Sequence, residues 1–224
     1  MNFFSLFFSF SKEEYQPGIF AKTYNDKIVV IDASGSSKQQ INGTMQMTLP
    51  EYSIYPWDKK YDWCSNCPHS YEEHPYITFS LKSRKFKINS YFIRCGCCYT
   101  GCCCDDGYYG CFDCCLYSWS IQISDDNITW KEIHRVDKDS EMRYCNEKSY
   151  KLDKEYTGKY VRIFQNEPCP GYPPCIAINK FELYGNVIED DGNEIDDGFI
   201  SYHDDDDDVS IIGHISKNGK TRIE

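Results

Sequence analysis

The stretch "LYSWSIQIS", residues 116–124, alternates without a break: Tyr117, Trp119, Ile121 and Ile123 share one side, Ser118, Ser120, Gln122 and Ser124 the other. Successive side chains of a strand point to opposite faces, so this period of two describes a strand with one face buried. Asp125-Asp126-Asn127 follows as a turn, because short polar side chains hydrogen-bond locally and tolerate left-handed backbone. Ile128-Thr129-Trp130 then starts a returning strand. A face carrying Trp119 and Ile121 needs a second apolar layer against it.

The same short-period text recurs from Ile28 onward, in "KIVVIDAS", "YITFSL", "FKINSYFIR", "KYVRIF" and "CIAINKFELYG". In "YITFSL", Ile77, Phe79 and Leu81 face one way and Thr78 and Ser80 the other; in "KYVRIF", Val161 and Ile163 oppose Tyr160, Arg162 and Phe164. The last segment changes phase, since Ile176 and Ile178 are out of step with Phe181 and Leu183. One extra residue near Asn179-Lys180 restores alignment, which predicts a bulge there. Gly185 is read as the end of the domain. No long stretch has helical period. With aromatics at 16% of the chain, this pattern predicts an all-β sandwich.

The organisation expected is a leader over 1–27, a sandwich over 28–185 with a Cys-rich insertion at 95–115, and an acidic tail over 186–224. Phe3, Phe4, Phe7 and Phe8 of the leader are candidates to dock on the domain. The tail's Asp204–Asp208 run repels itself and buries nothing, so disorder is expected there. A net charge of −11 argues against nucleic acid and against adhesion to anionic lipid. No apolar run approaches the roughly 20 residues of a transmembrane segment. The apolar N-terminus lacks a basic region of signal-peptide type, and the expected location is cytoplasmic, with secreted or cell surface as the alternative. Asn42-Gly43-Thr44 and Asn127-Ile128-Thr129 match the glycosylation pattern, which arises by chance at this length and decides nothing.

Nine cysteines crowd residues 95–115: Cys95, Cys97, Cys98, Cys102, Cys103, Cys104, Cys111, Cys114 and Cys115. Three chemistries fit. Zinc takes four thiolates tetrahedrally, and pairs such as Cys111/Cys114 present two at once. Disulfides would cross the hairpin rather than join sequence neighbours. Reduced, partly buried thiols complete the set. Cys64, Cys67, Cys145, Cys169 and Cys175 are candidates for a second cluster, in which Cys64 and Cys67, with His69 and His74 nearby, resemble a zinc half-site.

"YSWSIQISDDNITWKEIH", then "KYVRIFQNE" and "IAINKFELYG", resemble the second half of a discoidin domain, also called the coagulation factor 5/8 type C domain. The matching positions are Trp119, Ser124-Asp125, Trp130, Tyr160-Val161-Arg162-Ile163 and Leu183-Tyr184-Gly185; "IDASGSS" and "PYITFSLKSRKFKINSYFIR" resemble the family's earlier strands. The resemblance implies a jelly-roll β-sandwich of galactose-binding type. It also implies a non-enzymatic module that binds carbohydrate, phospholipid or protein through loops at one end. The family's usual disulfide has no counterpart, because no cysteine precedes Cys64.

No phosphate-binding glycine loop, nucleophile elbow or metalloprotease helix is present. Trp57, Tyr61 and Trp63 offer flat faces for a sugar or peptide side chain, with Asp58 and Asp62 as acceptors. Trp119 and Trp130 are expected in the core, and Arg162 in a structural ion pair. The function expected is a non-enzymatic module for protein–protein interaction through sandwich-end loops, with a Cys-rich loop as a candidate metal site, the cofactor being zinc or otherwise none. The alternatives are a secreted or surface carbohydrate-binding protein stapled by disulfides, and a metal-binding or metal-sensing protein.

Overall fold

A computed structural model describes residues 17–68, 70–98 and 114–190. In chain order the elements are α1 (Ile19–Thr23), β1 (Val29–Ala33), β2 (Lys38–Ile41), β3 (Thr44–Met47), a 3-10 turn (Pro50–Ile54), β4 (Trp63–Cys64), β5 (Tyr76–Leu81) and β6 (Arg84–Cys95). They continue with β7 (Ser118–Ser124), β8 (Lys131–Val136), β9 (Glu147–Gly158), β10 (Tyr160–Glu167) and β11 (Ala177–Glu189). Phe3, Phe4, Phe7 and Phe8 of the leader and residues 191–224 of the tail lie outside the described residues.

All pairings are antiparallel. One run of strands is β1–β5–β10–β7–β8 and the other β4–β11–β6–β9. Among the described residues they are hydrogen-bonded to each other where β5 turns into β6, at Leu81 and Arg84. The runs face one another. Phe79 of β5 stacks on Phe181 of β11 with ring centroids 5.3 Å apart, and Trp119 of β7 meets Tyr150 of β9 at 6.0 Å. The Tyr91 hydroxyl of β6 lies 2.9 Å from His134 Nδ1 of β8. These strands share no ladder, so the contacts cross between layers. The result is the all-β sandwich that the alternation predicts, in the jelly-roll form that the resemblance implies. Ile77, Phe79, Trp119, Ile121, Val161 and Ile163 are fully buried inside it. Each such side chain contributes roughly 1.5–3 kcal/mol on leaving water.

The bulge forms where the phase changes: Ile178 pairs with Cys95 and Lys180 with Arg94, leaving Asn179 as the extra residue. A second shift follows at Tyr184/Gly185. Gly185 has φ +137°, and a Cβ there would stand 2.1 Å from the Lys87 carbonyl oxygen. Glycine therefore permits a second bulge rather than ending the domain, and β11 runs on to pair Glu189 with Arg84. At the other end, the core takes in residues on the leader side of position 28. Ile19 and Phe20 are buried, and the Phe20 ring lies 5.0 Å from Phe79. Glu182 holds this segment by accepting the backbone N–H groups of Phe20 at 2.8 Å and Ala21 at 3.1 Å. No helix of the described residues is long and apolar enough to cross a membrane.

Candidate ligand cleft

Side chains that alternate away from the core meet on the outer face of β1–β5–β10–β7. The register aligns Asp32, Thr78, Arg162 and Gln122 in one row, with Tyr76 and Phe164 side by side in the next. Arg162 occupies the centre. Its Nε donates to Gln122 Oε1 at 3.0 Å and its Nη2 donates to the same oxygen. The guanidinium lies 4.0 Å from the Trp130 ring centroid, 5.1 Å from Phe164 and 5.7 Å from Tyr76. Cation–π contacts of this kind are worth about 0.5–2 kcal/mol each, so the three rings fix the cation's position. Burial lowers the Arg162 pKa from its usual value, though an arginine stays charged at neutral pH.

Loops wall this face into a cleft of about 830 Å³, lined by residues 31–36, 47–50, 66, 68 and 72–76 together with Arg162 and Phe164. The His74 ring stands 5.3 Å from Phe164. The Tyr76 hydroxyl donates to Asp32 Oδ2 at 3.4 Å; burial first, then this carboxylate, raise the Tyr76 pKa. The Ser34 hydroxyl joins the walls, donating to Asn66 Oδ1 at 3.0 Å and accepting the Tyr76 N–H at 3.2 Å. Met47 and Leu49 form an exposed apolar rim. The cleft thus brings flat rings, a cationic fork and carbonyl and carboxylate acceptors to one place. Its volume falls in the range of small-molecule sites.

The residues expected to bind from the loop before β4 divide. Asp62 and Trp63 are buried and serve the fold: Trp63 Nε1 donates to Ser36 Oγ at 3.1 Å, and Asp62 accepts from Gln39, Cys97 and Asn179. Neither is accessible to a ligand. Trp57 is 46% exposed, held against Tyr55 at 4.6 Å and Tyr24 at 5.1 Å. Asp58 pairs with Arg94 at 3.1 Å, which holds its carboxyl below the usual range, and Tyr61 packs on Tyr52 at 4.5 Å. None of the five lines the cleft. Trp119 is in the core as expected, whereas Trp130 is half-buried beneath Arg162. Among the described residues the hydrogen-bond partner of Arg162 is an amide, not the carboxylate of an ion pair. The signal for this site lay in the strand alternation, which sets Arg162, Phe164 and Gln122 off the core face. The register that unites them with Asp32 and Tyr76 is a property of the folded sheet.

The cysteines are joined as Cys97–Cys114, Cys98–Cys145 and Cys115–Cys169, with Cα separations of 5.6, 4.4 and 6.2 Å. Cys64 and Cys67 are disulfide-bonded as well. Zinc binds thiolates, and a sulfur in a disulfide is not one, so the zinc reading fails at these eight positions. Among the described residues, no group of three or more His, Cys, Asp or Glu could hold a metal ion. Cys95 and Cys175 are buried. Cys102, Cys103, Cys104, Cys111 and His69 lie outside the described residues, and His74 lines the cleft instead of a metal half-site. Cytoplasmic placement finds no support in this chemistry, since disulfides persist in oxidising compartments.

No family model matches the sequence, and no curated protein matches it significantly. Among solved structures, the chain aligns with the module CpGH89CBM32-5 from Clostridium perfringens, in complex with GalNAc-β-1,3-galactose. The TM-score is 0.48 and the identity 13%, covering 70% of this chain and 95% of that one. It aligns also with the family 32 carbohydrate-binding module of Clostridium perfringens NanJ in complex with galactose, at TM-score 0.47, 13% identity and coverage of 70% and 93%. For the module of AlyQ in complex with 4,5-unsaturated mannuronic acid the values are 0.46, 18%, 70% and 95%. Likeness at this level bears on neither ligand nor activity.

Proposed function

We propose that this chain is a non-enzymatic carbohydrate-binding module of discoidin-like, galactose-binding type, acting in a secreted or surface setting. The supporting observation is the convergence of Tyr76, Phe164 and His74 rings with the Arg162 fork and the Asp32 and Asn66 acceptors in one cleft. A pyranose ring has an apolar C–H face and a girdle of hydroxyls. Aromatic faces cover the first, and hydrogen-bonding groups carried on strands answer the second. A concave site of this volume suits a glycan better than the broad surface of a protein partner, which favours the carbohydrate reading over the protein-interaction reading expected first. The disulfides favour an oxidising location. Trp57, Asp58 and Tyr61 stand as an accessory contact outside the cleft.

Binding to immobilised glycans, followed by titration calorimetry on the ligand found, tests this. At least one glycan class is expected to bind, and Phe164→Ala to weaken it roughly three- to tenfold by removing a stacking face. Retention of no glycan, or affinity indifferent to both Phe164→Ala and Tyr76→Ala, would remove the reading.

A further inference from the structure

Arg162 is a half-buried cation on a strand, and its surroundings are rings and an amide. Nε and Nη2 both donate to the single oxygen Gln122 Oε1, so among the described residues Nη1 keeps its two N–H donors, and Arg162 lines the cleft. No carboxylate among the described residues pairs with it. Asp32, in the same row, faces the Tyr76 hydroxyl, and Glu72 and Glu73 are exposed on the rim. A desolvated cation without an anion stands at a cost that a bound anion relieves. The planar fork matches a planar carboxylate better than it matches scattered hydroxyls.

Resting on the reading of the cleft as a glycan site, we infer that its preferred ligand is an acidic sugar, a hexuronic acid whose carboxylate pairs with Arg162 while its ring lies against Phe164 and Tyr76. Asn66, on the cleft wall, is then placed to accept a ring hydroxyl. The overall charge of −11 does not prevent this. At physiological salt, exposed charges are screened beyond about 8 Å, whereas a partly buried pair is screened much less.

The test uses the full chain and three free hexuronic acids, galacturonic, glucuronic and mannuronic, each against its neutral parent hexose and its methyl ester. At least one acid is expected to bind roughly tenfold or more tightly than both neutral counterparts, the scale of a charge-assisted hydrogen bond. The advantage should shrink as salt rises, and Arg162→Gln should bring it to about one. If the neutral hexoses or esters bind as well as the acids, or if the preference survives in Arg162→Gln, the acidic-ligand inference is overturned while the glycan reading stands. If no sugar of either series binds and no immobilised glycan is retained, the glycan reading falls and this inference with it.

Discussion

Lys59 lies inside the fold with its ammonium donating to the main-chain oxygen of the bulge residue Asn179, and the carboxylates of Asp62 and Asp58 favour its charge. Asp62 in turn accepts from Gln39 Nε2 at 3.0 Å, the Cys97 N–H at 2.9 Å and Asn179 Nδ2 at 2.9 Å. Burial, the larger influence, outweighs Asp62 and brings the Lys59 pKa from 10.5 down to about 8. In the unfolded chain this lysine holds its proton up to the ordinary value; in the fold it releases it earlier. Between about 8 and 10.5 the unfolded state therefore binds more protons, and linkage makes folding stability rise with pH across that window. Urea unfolding from pH 8 to 10 should show the midpoint rising for the natural chain and a flatter profile for Lys59→Met. Identical profiles would mean that the amine is not desolvated. Asp62 shows why the loop before β4 was hard to read. Its acid looks like a ligand acceptor until Gln39 and Asn179, remote in sequence, close around it.

Among the elements, those that bury a whole face were legible, because their period is written by the core. β10 alternates in burial, β5 and β7 alternate in residue type although Thr78, Ser118, Ser120 and Ser124 are buried too, and the phase slip in β11 located its bulge at Asn179. Elements that bury little carry no such period. β9 buries Leu152 and Gly158 among mostly exposed positions, and every residue of β3 is exposed. The β2–β3 hairpin did leave a signal, since Asn42 and Gly43 take φ of +51° and +82° in an Asn-Gly turn, but that dipeptide reads equally as a glycosylation site. α1 is the extreme case. Five residues cannot sustain a helix alone, and this one is fixed by Glu182. A Cβ on Gly18 would stand 2.1 Å from the Glu182 Cγ and Cδ, so Gly18→Ala must displace the carboxylate from the Phe20 and Ala21 N–H groups. The expected loss is about 1–3 kcal/mol, the range for a buried donor left unpaired. Hydrogen exchange should accelerate at Phe20 and Ala21 before it does in β5 or β10. Unchanged protection at those two amides would show that Glu182 does not hold the segment.

At the scale of the whole molecule, the cysteines act as fasteners between segments that the sandwich leaves apart. Adjacent cysteines at the end of β6 and before β7 diverge: Cys97 and Cys114 join each other, while Cys98 and Cys115 reach out to Cys145 and Cys169. The sequence offered the crowding but not this connectivity, because pairing depends on which loops the topology brings to that end of the sheets. The closed loops span 17, 47 and 54 residues, for which chain entropy alone gives roughly 3–4 kcal/mol per bridge. They overlap along the chain, so the contributions do not simply add. A domain of this size holds only about 5–15 kcal/mol in all, and losing the bridges removes a large part of that margin. Melting in reductant, with thiol alkylation and mass measurement to establish full reduction, should therefore lower the midpoint by roughly 10 °C or more. The aromatic core around Phe79, Phe181 and Trp119 does not run through the bridges. The reduced chain should consequently keep its β-sheet spectrum below the new midpoint and lose cooperativity last in β5, β7 and β10. A fully reduced protein melting within about 2 °C of the oxidised one would mean that the bridged end is already ordered by packing, and that the disulfides contribute little to the fold.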